Sequence, residues 1–269
     1  MESEAKKQKV NLVFEKTPLF AELWDACLYH LLYDPKKYVN EIRGLFSRNK
    51  ITKDSKIIDV SAGTGFPALE LIEQGYNVDC MDASEDSIGL FLKKAKMREL
   101  SVKCKKLEWL NILRSYKKKT YDFVFCRGNS FVYATGGWNR FKKIDKEDSL
   151  KLYEKTLKIF YDLLNKGGVL YLDKFKDNEI SSKIKICDVL VGNKKKELVF
   201  FRDSNKKKKE RNATIFLRDE NGSEEGLPNS SYFLSEDELV LMLKKVGFKR
   251  IQKINLESES HFDVWLAYK

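Results

Sequence analysis

The spacing of apolar residues along the chain changes character three times. From Pro18 onward Phe20, Leu23, Trp24, Cys27, Leu28, Leu31 and Leu32 recur at intervals of three and four, which predicts one helix with a single apolar stripe until Pro35 breaks it. A second helix follows, with Tyr38, Val39, Ile42, Leu45 and Phe46 facing inward. Short apolar runs over 57–60, 76–81, 102–106, 121–126 and 169–173 then alternate with amphipathic segments over 68–74, 84–97 and 145–165, the pattern of a parallel sheet covered by helices. Between about Ile184 and Phe233 the period drops to two. Segments over 187–191, 198–202, 213–218 and 231–234, separated by turns at Asn193-Lys194, Asn205-Lys206 and Asn221-Gly222, predict an antiparallel insertion. It is small and charged, so it is expected to pack against an edge of the sheet. Ser235-Glu236-Asp237-Glu238 opens a last helix with a capping-box pattern, Gly247 ends it, and Phe248–Leu256 with Phe262–Ala267 form a closing hairpin. Residues 1–12 read as a loose tail.

The chemistry gathers at the ends of the predicted strands. Ile57, Ile58 and Val60 lead into Ser61-Ala62-Gly63-Thr64-Gly65, whose glycines let the backbone turn tightly and approach a ligand. Pro67 suits the first turn of the helix that follows. The next strand delivers Asp82, followed by Ala83, to the place where a carboxylate can accept hydrogen bonds from both hydroxyls of a ribose. Gly63-x-Gly65-x-x-Ala68 also satisfies the loose dinucleotide pattern. Asp59 weighs against that reading: a carboxylate four residues before the first glycine would repel a pyrophosphate, whereas it suits a cationic ligand. After the third strand, Glu108 can accept from an adenine amino group and Trp109 can cover the ring, the plain alternative being an exposed Glu beside a core Trp. After the fourth, Cys126, Arg127, Gly128, Asn129, Ser130 and Tyr133 crowd polar groups into the crevice position of an open sheet, and Gly136 to Arg140 extend it as a flap. Trp24, Tyr29 and Tyr33 either pack in the core or close over the ligand as a lid.

A length of 269 residues accommodates one large α/β unit with additions. No apolar run approaches the ~20 residues that cross a bilayer, so a cytoplasmic protein without a membrane partner is expected. Cys27, Cys80, Cys104, Cys126 and Cys187 are odd in number and scattered without C-x-x-C spacing or nearby histidines, which points to free thiols and to no metal site. The formal net charge of +11 raises a nucleic-acid reading. Against it, the lysines cluster in loop-like runs and arginine, which base reading favours, is sparse.

Three features together resemble class I S-adenosylmethionine-dependent methyltransferases, and within them the glycine N-methyltransferase and glycine/sarcosine N-methyltransferase group. They are Asp-Val-x-x-Gly-Thr-Gly at Asp59 to Gly65, Val-Asp-Cys-Met-Asp-Ala-Ser at Val78 to Ser84, and Gly-Asn-Ser-Phe at Gly128 to Phe131, with Glu108-Trp109 in the place of the adenine pair. The resemblance implies a Rossmann-like α/β fold: a seven-stranded, mostly parallel sheet with an antiparallel last strand, an N-terminal helical lid and an antiparallel β insertion. The chain would divide into a tail and lid (1–50), a cofactor-binding core (51–183), the insertion (184–234) and a C-terminal helix and hairpin that complete the core (235–269). It further implies S-adenosyl-L-methionine held by Trp24, Asp59, Ser61, Ala62, Gly63, Gly65, Asp82, Ala83, Glu108, Trp109, Cys126 and Arg127. A small-molecule amine acceptor would be shaped by Tyr29, Tyr33, Asn129, Ser130, Tyr133 and Arg140. Transfer to oxygen or carbon, to RNA, or a role in binding without catalysis stays open, as does assembly into a homo-oligomer. The sequence departs from the group at two acceptor positions: Asp173-Lys174-Phe175-Lys176 stands where an arginine clamps the amino acid's carboxylate, and Tyr133 stands where a histidine is expected. The lid arginine that meets the cofactor carboxylate has only Lys36 or Lys37 nearby.

Overall fold

A computed structural model describes residues 12–135, 145–178 and 181–269. Its centre is a seven-stranded sheet built from β2 (Lys56–Asp59), β3 (Asn77–Asp82), β4 (Cys104–Lys106), β5 (Tyr121–Cys126), β6 (Leu164–Phe175), β11 (Arg250–Ile254) and β12 (Phe262–Tyr268). The strand order is β11-β12-β6-β5-β2-β3-β4. Strands β4 through β6 run parallel, and β12 pairs antiparallel with both β6 and β11. The chain order reverses beside β2, where β3 lies on one side and β5 on the other, so the loops after these strands diverge and leave a crevice.

Both faces of the sheet are buried, which explains the unbroken apolar runs. Ile57, Phe123, Phe125, Tyr171, Val264 and Leu266 face one core cluster, while Ile58, Val124, Leu170, Leu172 and Trp265 face another. The second cluster is closed by α5 (Lys146–Leu163) and α6 (Glu236–Val246). Helix starts follow the capping chemistry of the sequence. The Asp34 carboxylate accepts from Lys37 N–H ahead of α2 (Pro35–Arg48), Ser84 Oγ from Ser87 N–H ahead of α4 (Glu85–Met97), and Ser235 with Glu238 forms the capping box of α6. Pro67 stands at the N-cap of α3 (Ala68–Glu73), one place before its expected position inside the helix.

Two expectations need correction. The first helix is not continuous: α1 (Phe20–Cys27) gives way to a π turn over Leu28–Leu32. Leu12, read as the last residue of a loose tail, instead opens a strand, β1 (Leu12–Phe14), parallel to the first strand of the insertion; three residues with Val13 exposed carry no periodic signal. The insertion packs on the central sheet as expected, Phe200 meeting Phe175 of β6 with ring centres 6.0 Å apart, and does so without sharing its ladder. Strands β7 (Ser181–Val191), β8 (Lys194–Asn205), β9 (Glu210–Arg218) and β10 (Glu224–Tyr232) form, with β1, a second sheet of their own. Its apolar side chains Leu198, Phe200, Ile215 and Leu217 belong to the same buried cluster as Leu23, Cys27 and Leu28 of the lid and Phe175 of the central sheet. The flap from Gly136 to Arg140 lies outside the described residues.

Candidate active site

The loops after β2, β3, β4 and β5, together with α1, enclose a cleft of about 630 Å³. Phe20, Ala21, Trp24 and Leu28 come from the lid; Ser61, Gly63 and Thr64 from the glycine loop; Asp82 to Ser87 from the end of β3 and the start of α4; Glu108 from the loop after β4; and Arg127, Gly128 and Ser130 from the turn after β5. Asp82 is anchored by the loop opposite: its Oδ2 accepts from Gly63 N–H at 2.9 Å and its Oδ1 from Ser84 N–H at 2.8 Å. Burial raises its carboxyl above the ordinary value, and the backbone N–H groups of Ser84 and Gly63 pull the other way. Gly63 has φ +53° and Gly65 φ +109°. A Cβ on Gly65 would also meet Leu69 Cδ1 at 2.5 Å, so this turn requires glycine twice over.

Asp59 lies beneath the loop, 1% exposed, and is absent from the cleft wall. Its Oδ1 accepts from Ser61 N–H at 3.0 Å, which orients the loop, while Oδ2 is buried and finds no hydrogen bond among the described residues. Burial pushes its carboxyl up to about 7 despite Arg127 nearby. The folded state therefore holds this proton more tightly than an unfolded chain titrating at 3.8. The stability so gained is complete below about pH 4 and fades as pH rises toward 7. In Asp59→Asn, which keeps an acceptor for Ser61 and cannot titrate, the fall of the ligand-free melting temperature across that window becomes shallower. An unchanged profile would place the titration elsewhere.

Arg127 is buried below Tyr33, Tyr38 and Phe66, its guanidinium carbon 5.3, 6.0 and 5.0 Å from their ring centres. Burial works against its charge, but Tyr33, Tyr38, Asp59 and Asp173 outweigh that and hold it firmly protonated. The turn that follows is fixed by Asp173, whose Oδ2 accepts from Gly128 N–H at 2.8 Å and whose Oδ1 accepts from Asn129 N–H at 2.6 Å.

Other predicted residues take supporting positions. Asn129 is fully buried, and its Oδ1 accepts from Phe175 N–H at 2.9 Å. Its amide lies 3.5 Å from the Tyr133 hydroxyl. Ala62 and Cys126 are buried under the loops, and burial raises the Cys126 thiol well above its ordinary value. Trp109 donates through Nε1 to Val60 O at 2.6 Å and meets Phe160 edge-on, so it braces the end of β2. Tyr33 stacks on Phe262, and Tyr29 packs on Phe66 beneath the Lys94 ammonium. Lys174 is buried against Asp177 and over Trp265, and Lys37 pairs with Glu257 at the surface, so neither substitutes for the missing arginines. A link that the sequence reading missed joins lid to loop: Thr64 Oγ1 donates to Asp25 Oδ1 at 2.5 Å, and Lys94 of α4 pairs with the same carboxylate. Only an acid in the polar stripe of α1 hinted at it.

The electrostatics of the described wall are acidic: Asp82, Glu85, Asp86 and Glu108 against Arg127. Such a cleft favours a cationic adenosine compound over one carrying a diphosphate. Residues 51–216 match the model of the methyltransferase domain. The chain belongs to that family. Among relatives, this methyltransferase is 30% identical over 120 residues to the glycine/sarcosine N-methyltransferase of Halorhodospira halochloris, covering 45% of this chain and 40% of the relative. It is 26% identical over 124 residues to the glycine N-methyltransferase of Rattus norvegicus, covering 44% and 39%. The matches thus span about two fifths of the length of these curated relatives. In fold it is similar to a sugar N-methyltransferase from Streptoalloteichus, with a TM-score of 0.67 at 11% identity over 97% of both chains. It is also similar to an S-adenosylmethionine-dependent methyltransferase from Clostridium acetobutylicum, with a TM-score of 0.65 at 16% identity over 93% of this chain and 97% of the other. The methyl donor named for the second of these neighbours is S-adenosylmethionine. The residues present fit it: Asp82 keeps free lone pairs for ribose hydroxyls, and Glu108 is exposed in the same cleft for an adenine amine.

Proposed function

We propose that this methyltransferase acts on the nitrogen of a small amine by in-line displacement. The observation that carries the reading is the cleft of about 630 Å³ beneath the lid. The lid residues Phe20, Trp24 and Leu28 roof the same chamber that Asp82 and Glu108 line on one side and Ser130 on the other, which leaves room for a small acceptor beside the cofactor. S-adenosylmethionine supplies a methyl carbon on a sulfonium. The amine arrives neutral, its lone pair forms the C–N bond as the C–S bond breaks toward sulfur, and the surplus proton leaves to water. The chain's part is to hold the reacting atoms in line and exclude solvent, an arrangement worth ~7–11 kcal/mol. Trp24 covers the roof, Arg127 lines the cleft at its floor, and Ser130 meets the acceptor. Asn129, Tyr133 and Tyr33 are positioning residues, and Tyr29 braces the lid.

The names of the N-methyltransferase relatives support nitrogen as the acceptor atom. Small size is supported further by the insertion, where Lys183, Lys185 and Lys196 are each paired with a glutamate at 2.7–2.8 Å and so offer little to a polyanion. A panel of small amines, phenols and RNA, each incubated with S-adenosylmethionine, tests this. Release of S-adenosylhomocysteine with a methylated amine is expected; methylated RNA with no amine product would refute the reading.

A further inference from the structure

The lid is attached to the rest of the chain in two chemically different ways. On one side Leu23, Cys27 and Leu28 share a buried cluster with Leu198 and Ile215 of the insertion sheet, a contact that is apolar and non-directional. On the other side the attachment is polar and runs through one residue. Asp25 Oδ1 accepts from Thr64 Oγ1 of the glycine loop at 2.5 Å and pairs with the Lys94 ammonium of α4. The Asp25 and Lys94 side chains are 18% and 19% exposed, so the pair is better shielded from water and salt than an ion pair on the open surface.

One turn further along the lid, the same ammonium stands 5.0 Å from the centre of the Tyr29 ring, and Tyr29 packs on Phe66 with ring centres 5.3 Å apart. Thr64 and Phe66 flank Gly65. The lid therefore grips both neighbours of that glycine, and a single lysine meets it at two successive turns. Neither Asp25 nor Lys94 belongs to the wall of the cleft, whereas the residues beside them do: Trp24 precedes Asp25 on α1, and Thr64 lines the loop below. Asp25 and Lys94 thus act on a bound ligand only through what they hold in place.

We propose that Asp25 and Lys94 form a releasable latch that holds Trp24 over the cofactor, so that rupture of this pair paces the entry of S-adenosylmethionine and the exit of S-adenosylhomocysteine. Both are positioning residues. When the latch parts, the apolar contact with the insertion sheet keeps the lid attached, and α1 moves away from the glycine loop about that side. The latch fastens the empty and the occupied cleft alike, because all of its atoms belong to the chain. Its loss therefore speeds binding and release together and leaves their ratio nearly unchanged. This rests on the cofactor of the function proposed above and is independent of the acceptor.

The test uses the full chain loaded with radiolabelled S-adenosylhomocysteine and chased with unlabelled excess, beside calorimetric affinities for the same ligand. Asp25→Asn keeps an acceptor for Thr64 but loses the ion pair, and Lys94→Met removes the pair from its other end. Each should release the ligand about tenfold faster than wild type, with the dissociation constant within about threefold. The double variant should match the faster single variant within about a factor of two, because both changes break one interaction. Lys245→Met, which breaks the pair with Glu154 on the opposite face of the central sheet, should release at the wild-type rate. Two results overturn the proposal. One is release within about twofold of wild type in both Asp25→Asn and Lys94→Met; the other is a dissociation constant that rises in step with the release rate, as loss of an ordinary binding contact would produce. A wild-type chain that binds no S-adenosylhomocysteine would strike down the cofactor reading and the latch together, whereas failure of the latch alone leaves that binding intact.

Discussion

Asp82→Ala weakens S-adenosylmethionine binding roughly 100-fold and leaves the fold in place. Two oxygens of one carboxylate are presented at the end of β3, each already fixed by a backbone N–H from Gly63 or Ser84. A ribose diol can therefore be met without reorganisation. Hydrogen bonds to a charged group contribute about 1.5–3 kcal/mol each, so losing the pair costs about 3 kcal/mol or somewhat more, which is two decades or so in affinity. The orphaned Gly63 and Ser84 N–H groups lie at the half-buried rim of the cleft, where water can reach them, so the melting temperature of the ligand-free variant shifts little. Calorimetry of the variant checks this directly; an affinity within a factor of three of wild type would remove Asp82 from the site.

Asp173→Ala has the opposite signature, a large loss of stability. Asp173 is fully buried, and it is the acceptor for both N–H groups of the turn after β5 and a counter-charge for Arg127. Burial raises its carboxyl above the ordinary carboxylate range, while the N–H groups of Asn129 and Gly128 and the Arg127 guanidinium favour the charged form. Removing it strands two buried donors and weakens the pairing of a buried cation, about 3–5 kcal/mol in total. For a chain of this size that lowers the melting temperature by roughly 10 °C. Thermal denaturation of the variant measures it. A drop of only a degree or two would mean that the turn is held by something else.

Much of the site was legible because a parallel sheet brings the carboxyl ends of its strands together. Gly63, Asp82, Glu108 and Ser130 stand at or just beyond the ends of four different strands, and all reach one cleft. Asp59 and Asn129 were recognisable as special residues, but not as internal braces, because their roles depend on which oxygen meets which N–H. The grip of Asp173 on Gly128 and Asn129 requires those residues to adopt positive φ, +73° and +60°, a detail that spacing does not encode. The tie from Asp25 to Thr64 joins residues 39 positions apart and needs the lid docked before it exists. In the insertion, charged residues at alternate positions resembled a solvated face. The parity was informative nonetheless, since Arg202 follows Leu198 and Phe200 at intervals of two and must point with them into the interior.

The central claim is that carboxylates around a glycine loop select a positively charged adenosine compound. Calorimetric titration of the purified chain with S-adenosylmethionine, repeated in the presence of excess nicotinamide dinucleotide, tests it most directly. The expected result is saturable one-site binding that the dinucleotide does not displace; binding of the dinucleotide with no heat from S-adenosylmethionine would contradict it.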